Sequence, residues 1–109
     1  MVNHSSHLDL IFASLAHPIR RDILHRCLKA EMSVNVLAEP YGISVAAISK
    51  HIKMLELACL VEKRRRGKNQ FVRTAEPAFR RAYRYVESYE KYWLSKPEQR
   101  QAYVLRIPR

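Results

Sequence analysis

The sequence predicts a mainly α-helical chain that contains one small β-hairpin. Apolar residues recur at intervals of three and four through residues 8–55 and again in residues 77–94, which is the period of helices that bury one face. Between these regions, residues 60–74 form two short β-prone runs on either side of Gly67. We therefore expect five helices in one domain, with the hairpin placed before the last helix.

A first helix is expected over residues 7–15. A second should run from Pro18, whose fixed φ suits the first turn of a helix, to about Ala30. The second helix should bury one apolar stripe, which consists of Ile19, Ile23, Leu24, Cys27 and Leu28. Its other side should face water, and it carries Arg20, Arg21, Asp22 and His25. Both helices are thus expected to contribute to the core.

The centre of the chain has the spacing of two helices joined by a tight turn. Ser33 is a candidate N-cap for a short helix that Pro40 cannot continue, and Gly42 can adopt the positive φ of a sharp turn. Ser44 is the next candidate N-cap, so a further helix begins at Val45. This is helix-turn-helix spacing, in which the second of the two helices can enter a groove of DNA.

The helix that begins at Val45 has two contrasting sides. The apolar side should be buried and consists of Ile48, Ile52 and Leu55. The opposite side carries small residues and cations, namely Ala46, Ser49, Lys50 and Lys53. Periodicity alone is equally typical of an ordinary amphipathic surface helix. His51 borders both sides, so its ring is either satisfied at the helix edge or available to DNA.

A strong positive charge indicates an anionic partner. The chain of 109 residues has a formal net charge of +10 and a pI of about 10.1, which favours nucleic acid over a membrane surface. The cations concentrate in the helix and hairpin region, at Lys50, Lys53, Lys63, Arg64, Arg65, Arg66, Lys68 and Arg73. Only Glu56 and Glu62 oppose them there.

An enzyme is the class of protein that the sequence least favours. It contains no glycine-rich phosphate loop, no nucleophile with an arranged base and no cluster of metal ligands. No cofactor is therefore expected.

The last helix is expected over residues 77–94 and has apolar side chains on more than one side. One helical repeat contains Phe79, Ala82, Tyr83, Val86 and Trp93, and a second stripe contains Tyr85, Tyr89 and Tyr92. One domain has too little core to cover both stripes, so we expect a subunit interface. Residues 1–94 should form the domain and residues 95–109 a C-terminal tail.

No apolar run approaches the roughly 18 residues of a membrane span, and the first residues lack the features of a signal peptide. A cytoplasmic protein is therefore expected. Cys27 and Cys59 lie in apolar segments and are too few for a disulfide framework. We expect both thiols to be reduced and buried.

Several short motifs, in their order and spacing, together resemble the ArsR (ArsR/SmtB) family of winged helix-turn-helix repressors. They are residues 15–24 (LAHPIRRDIL), 37–38 (LA), 43–44 (IS), 48–55 (ISKHIKML), 60–61 (LV) and 65–68 (RRGK). The resemblance covers roughly residues 8–94. It implies a homodimer whose paired recognition helices bind a palindromic operator in double-stranded DNA and repress transcription by occluding a promoter.

The resemblance also implies roles for particular residues. The recognition-helix positions that would contact DNA are Ser44, Val45, Ala46, Ser49, Lys50 and His51, with Lys53 as a phosphate contact. The wing positions are Arg64, Arg65, Arg66 and Lys68. The first and last helices would form the dimer interface, through Leu8, Ile11, Phe12, Tyr85, Tyr89, Tyr92 and Trp93.

The sequence departs from the family at its usual metal sites. Many members have a cysteine pair in the helix before the recognition helix, where this chain has Ser33 and Asn35. Other members use Asp and His along the last helix, which here contains no histidine. A soft thiolate site is thus absent. His4 and His7 could share one helical face as metal ligands, although terminal histidines are more often solvated.

Three functions are consistent with the sequence. The first is a metal-independent repressor with no identified inducer. The second is a sensor repressor that is released by oxidation of Cys27 or Cys59, or by an organic ligand among the interface aromatic residues. The third is a winged-helix module that associates with proteins or binds DNA without sequence preference.

Overall fold

The computed structural model describes residues 6–95 and contains five α-helices and a three-stranded sheet. The helices are α1 (Ser6–Leu15), α2 (Pro18–Arg26), α3 (Val34–Ala38), α4 (Val45–Leu57) and α5 (Glu76–Leu94). The strands are β1 (Met32–Ser33), β2 (Val61–Arg66) and β3 (Asn69–Thr74), in the order β1-β3-β2. The predicted fold class and its five helices are confirmed. His4 and residues 96–109, which include most of the expected tail, lie outside the described residues.

The helix-turn-helix forms as the sequence predicts, with a serine cap at the beginning of each helix and a tight turn between them. The Ser33 hydroxyl accepts a hydrogen bond from the backbone N–H of Val36 at 3.2 Å, and the Ser44 hydroxyl accepts one from Ala47 at 3.1 Å. Caps of this kind stabilise a helix by about 1 kcal/mol. A 3₁₀ turn (Glu39–Tyr41) follows α3, and Gly42 then adopts a φ of 63°.

The two-residue strand β1 was not expected from the sequence. It pairs antiparallel with β3, with Met32 opposite Val72 and Ser33 opposite Phe71. The hairpin thus becomes a three-stranded sheet that is joined directly to the beginning of α3. Two residues are too few to show the alternation that identifies a strand.

The second helix begins at Pro18 as predicted, but it ends earlier than expected. It ends at Arg26, and Leu28 is 61% exposed instead of belonging to the buried stripe. The expectation that Arg20 faces water is also wrong. Its guanidinium donates to the carbonyls of Ala13 and Ser14, at 3.0 and 2.8 Å, and thereby caps the end of α1.

The core is formed by residues from every helix and from the hairpin. Its fully buried members include Ile11, Ile23, Leu37, Ile48, Ile52, Leu55, Leu60 and Val72. Ser14 is the buried polar residue among them, and its hydroxyl donates to the carbonyl of Met54 at 3.4 Å. Within residues 6–95, no helix is long and apolar enough to span a membrane.

The prediction that both cysteines are buried holds for Cys27 and is wrong for Cys59. Burial raises the pKa of the Cys27 thiol to about 11, so this thiol stays protonated. Cys59 is exposed and has a φ of 61°. The N–H groups of Cys59 and Leu60 donate to the carbonyls of Glu56 and Leu55, at 2.9 and 3.0 Å. This is a Schellman motif, in which a residue in the left-handed conformation ends the helix.

Replacement of a buried α4 residue should cost far more stability than replacement of an exposed one. Ile52 is 1% exposed, so Ile52→Ala should lower the free energy of unfolding by about 2–5 kcal/mol. Leu57 on the same helix is 57% exposed, so Leu57→Ala should change it by less than about 0.5 kcal/mol. Urea denaturation measures both, and equal losses would contradict the placement of the α4 core face.

Candidate nucleic-acid interface

The outward side of α4 is small, polar and cationic. Ala46, Ser49, Lys50 and Lys53 are all exposed, because the opposite side of the helix is fully used by the core. Val45 is 45% exposed and also belongs to the outward side. The Ser44 hydroxyl is engaged in the helix cap. The outward side of α4 therefore consists mainly of short side chains, together with the two lysines.

The wing is the hairpin formed by β2 and β3. Its strands stay in register from Val61 opposite Thr74 to Arg66 opposite Asn69, which leaves Gly67 and Lys68 as a two-residue turn. Gly67 has a φ of 60°, as the first position of a tight hairpin turn requires. This turn carries the cationic tip that the sequence predicts.

Much of the positive charge near the wing is paired within the protein. Glu31, which was not expected at this site, contacts both Arg64, at 3.4 Å between Nη2 and Oε1, and Arg66. The guanidinium of Arg66 also lies over the ring of Phe71, 4.9 Å from its centroid. No pattern in the sequence relates Glu31 to the wing, because the contact depends on the position of β1.

The two acidic residues of the helix and hairpin region are also paired. Lys63 contacts Glu56 at 3.2 Å, and Arg73 contacts Glu62 at 2.8 Å. Within residues 6–95, four cations of this surface remain outside ion pairs, and we call them the free cations: Lys50, Lys53, Arg65 and Lys68. The paired arginines are more than half exposed, so their guanidinium groups remain accessible to phosphate.

His51 lies behind the outward side of α4, against the beginning of α2. Its Nδ1 accepts a hydrogen bond from Arg20 Nη1 at 3.3 Å, and its ring lies 4.5 Å from the ring of His17, centroid to centroid. Burial, followed by the neighbouring His17 and Arg20, lowers the pKa of His51 below its ordinary value of 6.5. The ring is therefore satisfied at the helix edge, and it orients α4 against α2.

A cleft of about 220 Å³ separates the outward side of α4 from the wing. Its walls come from the segment that joins β1 to α3, from α4 and from the wing. They consist of Ser33, Val34, Asn35, Val45, Ser49, Lys68, Asn69 and Gln70. No acidic residue lines it, so the cleft continues the positive surface between helix and wing.

The residues predicted for the dimer interface fall into two groups. Phe12, Tyr85, Tyr89 and Tyr92 are each at least 36% exposed, and Trp93 and Leu8 are half-buried. The rings of Phe12, Tyr85 and Tyr89 contact one another in sequence, with centroids 5.6 Å apart for Phe12 and Tyr85 and 5.4 Å apart for Tyr85 and Tyr89, and Tyr92 contacts Trp93 at 5.1 Å. The prediction that Ile11 lies in the dimer interface is wrong, because Ile11 is fully buried in the core of its own chain and cannot contact a partner.

Groups of three or more potential metal-binding side chains do not occur in the described part of the chain. The His7 ring has structural contacts instead. Its Nε2–H donates to the carbonyl of Ala58 at 2.9 Å, and its Nδ1 accepts from Arg81 at 2.7 Å. His7 thus links α1 to the end of α4 and to α5.

A short helix, a tight turn and an exposed basic helix, followed by a basic hairpin, define a winged helix-turn-helix protein. Similarity to known proteins supports this assignment, because a family model described as a helix-turn-helix domain matches residues 15–64. The HTH-type transcriptional regulator KmtR of Mycobacterium tuberculosis is 40% identical over 63 residues, which make up 58% of this chain and 48% of that protein. The match thus spans about half the length of this curated relative.

Solved structures are similar over more of the chain. The crystal structure of an ArsR family transcriptional regulator has a TM-score of 0.79 at 25% identity, with 88% of this chain and 99% of that chain covered. A homodimeric winged helix-turn-helix DNA-binding domain from Mycobacterium bovis, a possible ArsR-family regulator, has a TM-score of 0.64 at 23% identity, with 84% and 92% covered. The chain thus has the fold of winged helix-turn-helix transcriptional regulators, and ArsR family regulators are among the proteins to which it is similar.

The lowered pKa of His51 predicts a specific loss of stability in acid. As the pH falls below about 6.5, the unfolded chain takes up a proton at His51 before the folded chain does, so stability is lost progressively until the pH reaches the lowered pKa and stays lost below it. His51→Gln should therefore lose less stability between pH 7 and pH 5 than the wild type, as measured by urea denaturation.

The matched control is His25→Gln, which removes an exposed imidazole from α2. If the wild type and His51→Gln lose equal stability over this pH interval, the placement of His51 against His17 and Arg20 is contradicted.

Proposed function

We propose that the protein is a dimeric, metal-independent transcriptional repressor that binds a palindromic operator and occludes a promoter. The observation that carries the proposal is the outward side of α4, which presents small residues and free cations beside a basic wing. The similarity to ArsR family regulators and the absence of acidic residues from the cleft support it. The protein acts by binding rather than by catalysis, and its place of action is the cytoplasm.

Different residues have different tasks in this proposal. Ser49, Lys50 and the methyl groups of Ala46 and Val45 contact base edges in the major groove. Lys53 and the wing residues Arg64, Arg65, Arg66 and Lys68 contact phosphate. Glu31 holds Arg64 and Arg66 until phosphate replaces it. His51 and Ser44 support the position of α4, because both side chains are engaged within the protein.

The dimer is supported by the apolar face of α5. Ala78, Ala82, Tyr85, Tyr89 and Tyr92 follow one another at alternating intervals of four and three, which is the spacing of helices that pack along their length. Ala78 and Ala82 are buried within the chain, whereas the three tyrosines are 44–56% exposed. A second copy of α5 would cover this exposed continuation, and the homodimeric relative from Mycobacterium bovis has the same fold.

The exposed thiol of Cys59 supports a second candidate function, a repressor released by oxidation. Cys27 cannot take this role, because it is buried and its pKa is raised. Cys59 lies where α4 passes into the wing, so a modification there would act on both DNA-binding elements.

Selection of bound duplexes from a random DNA library tests the proposed function. We expect an inverted repeat, because two recognition helices related by a twofold axis enter successive major grooves roughly 34 Å apart. The selected duplex should bind at least about a hundredfold more tightly than an unrelated duplex of equal length. Binding without sequence preference would contradict a specific repressor.

Charge-matched variants refine this test. Lys53→Ala should weaken binding to both duplexes and lower the slope of log K against log salt by about 0.9, because one phosphate contact is lost. Arg80→Ala removes the same charge from α5, where Arg80 contacts Glu76 at 2.7 Å, and should leave the slope unchanged. Equal effects of the two variants would mean that net charge, and not the outward side of α4, determines binding.

Truncation of an interface tyrosine should weaken the dimer. Tyr89 lies on the face that continues from Ala82, so Tyr89→Ala should raise the dimer dissociation constant at least about tenfold. Tyr83 lies roughly 120° around the helix from this face, so Tyr83→Ala is the matched control and should have little effect. Sedimentation equilibrium measures both constants, and equal changes would contradict the proposed interface.

A further inference from the structure

Every carboxamide side chain of residues 6–95 lines the cleft between α4 and the wing. Asn35 projects from the first turn of α3, and Asn69 and Gln70 belong to the beginning of β3. The same cleft contains Ser49 of the recognition helix and Lys68 of the hairpin turn. We call Asn35, Asn69 and Gln70 the amide cluster. Residues of this type are thus concentrated at one place in the fold, although Asn35 is more than thirty positions from Asn69 and Gln70 in the sequence.

Strand β1 is what brings the amide cluster together. Because Ser33 pairs antiparallel with Phe71, the chain that leaves Ser33 towards Asn35 runs beside the residues that precede Phe71, namely Gln70 and Asn69. The packing of α3 against α4 then adds Ser49 as the third wall. The cluster is therefore a product of the sheet and the helix-turn-helix together.

The amide cluster has no structural task within the described residues. All three side chains are exposed, and none of them makes a hydrogen bond to another part of residues 6–95. They cap no helix there, since the caps of α3 and α4 are Ser33 and Ser44. Each carboxamide retains two N–H donors and an acceptor oxygen for a ligand.

We propose that the amide cluster binds the phosphodiester backbone of one DNA strand, with the amide N–H groups donating to non-bridging phosphate oxygens. This inference rests on the proposed function and deepens it. Lys68, one of the free cations, supplies charge beside these neutral donors, and Val45 and Ser49 place the cleft next to the outward side of α4. A backbone, rather than a base edge, fits the cleft because the amide cluster flanks the outward side of α4 instead of projecting from it.

Neutral and cationic phosphate contacts differ in their salt dependence, and this difference provides the test. Gln70→Ala and Asn35→Ala should each weaken binding by about fivefold, equally for the selected operator and an unrelated duplex. The slope of log K against log salt should stay unchanged, because a neutral donor displaces no counterion. Lys68→Ala should instead lower the slope by about 0.9. Ser88→Ala, on the exposed part of α5, is the control and should bind like the wild type.

Methylphosphonate substitution of single phosphates identifies the contact directly. We expect one or more positions at which neutralising the phosphate weakens the wild type but has a smaller effect on Gln70→Ala or Asn35→Ala. Thermal unfolding of each variant verifies that the fold is intact.

Three outcomes would overturn the inference. If binding losses are confined to the operator and depend on one base pair, the amide cluster reads a base edge. If the variants bind like the wild type while the wild type binds DNA, the cleft has no role and the proposed function stands. If the wild type binds neither duplex, the proposed function itself fails, and the cleft proposal fails with it.

Discussion

The burial of one side of α4 is the constraint on which the rest of the structure depends. Ile48, Ile52 and Leu55 are each at most 1% exposed, and they pack among residues of α1, α2, α3 and the hairpin. Since these three side chains can be buried together at only one rotation of the helix, the opposite side must face solvent. The core thereby determines which residues can reach a ligand, whatever the chemistry of those residues.

The ends of α4 are fixed by different interactions, and both affect the neighbouring DNA-binding elements. At the beginning, the Ser44 cap and the left-handed Gly42 set the angle between α3 and α4. At the end, the Schellman motif reverses the chain at Cys59 and leads it into β2, where Val61 returns to the core. A non-glycine residue with positive φ costs about 1 kcal/mol, which the packing of Leu60 and Val61 offsets. The origin of the wing is therefore fixed relative to the recognition helix.

Features that depend on neighbouring residues in the sequence could be predicted, and features that depend on distant residues could not. The caps at Ser33 and Ser44 and the turn at Gly67 were found because each follows from a local preference. Glu31 was missed because it meets Arg64, 33 positions away, only through the pairing of β1 with β3. Ile11 was assigned to the wrong surface because an apolar stripe does not distinguish a core from a partner. Cys59 was expected to be buried because its apolar neighbours conceal the left-handed position.

Strand β1 affects the free energy with which the wing can bind a ligand. By pairing with β3, it joins the beginning of α3 to the wing through backbone hydrogen bonds, while α4 is joined to the same wing at its other end. The helix-turn-helix and the hairpin are thus joined at two places. Conformational entropy that a mobile wing would lose when it met a ligand has already been lost during folding. The two-residue strand β1 therefore preorganises the wing. It contributes to the affinity for a ligand as well as to the stability of the fold.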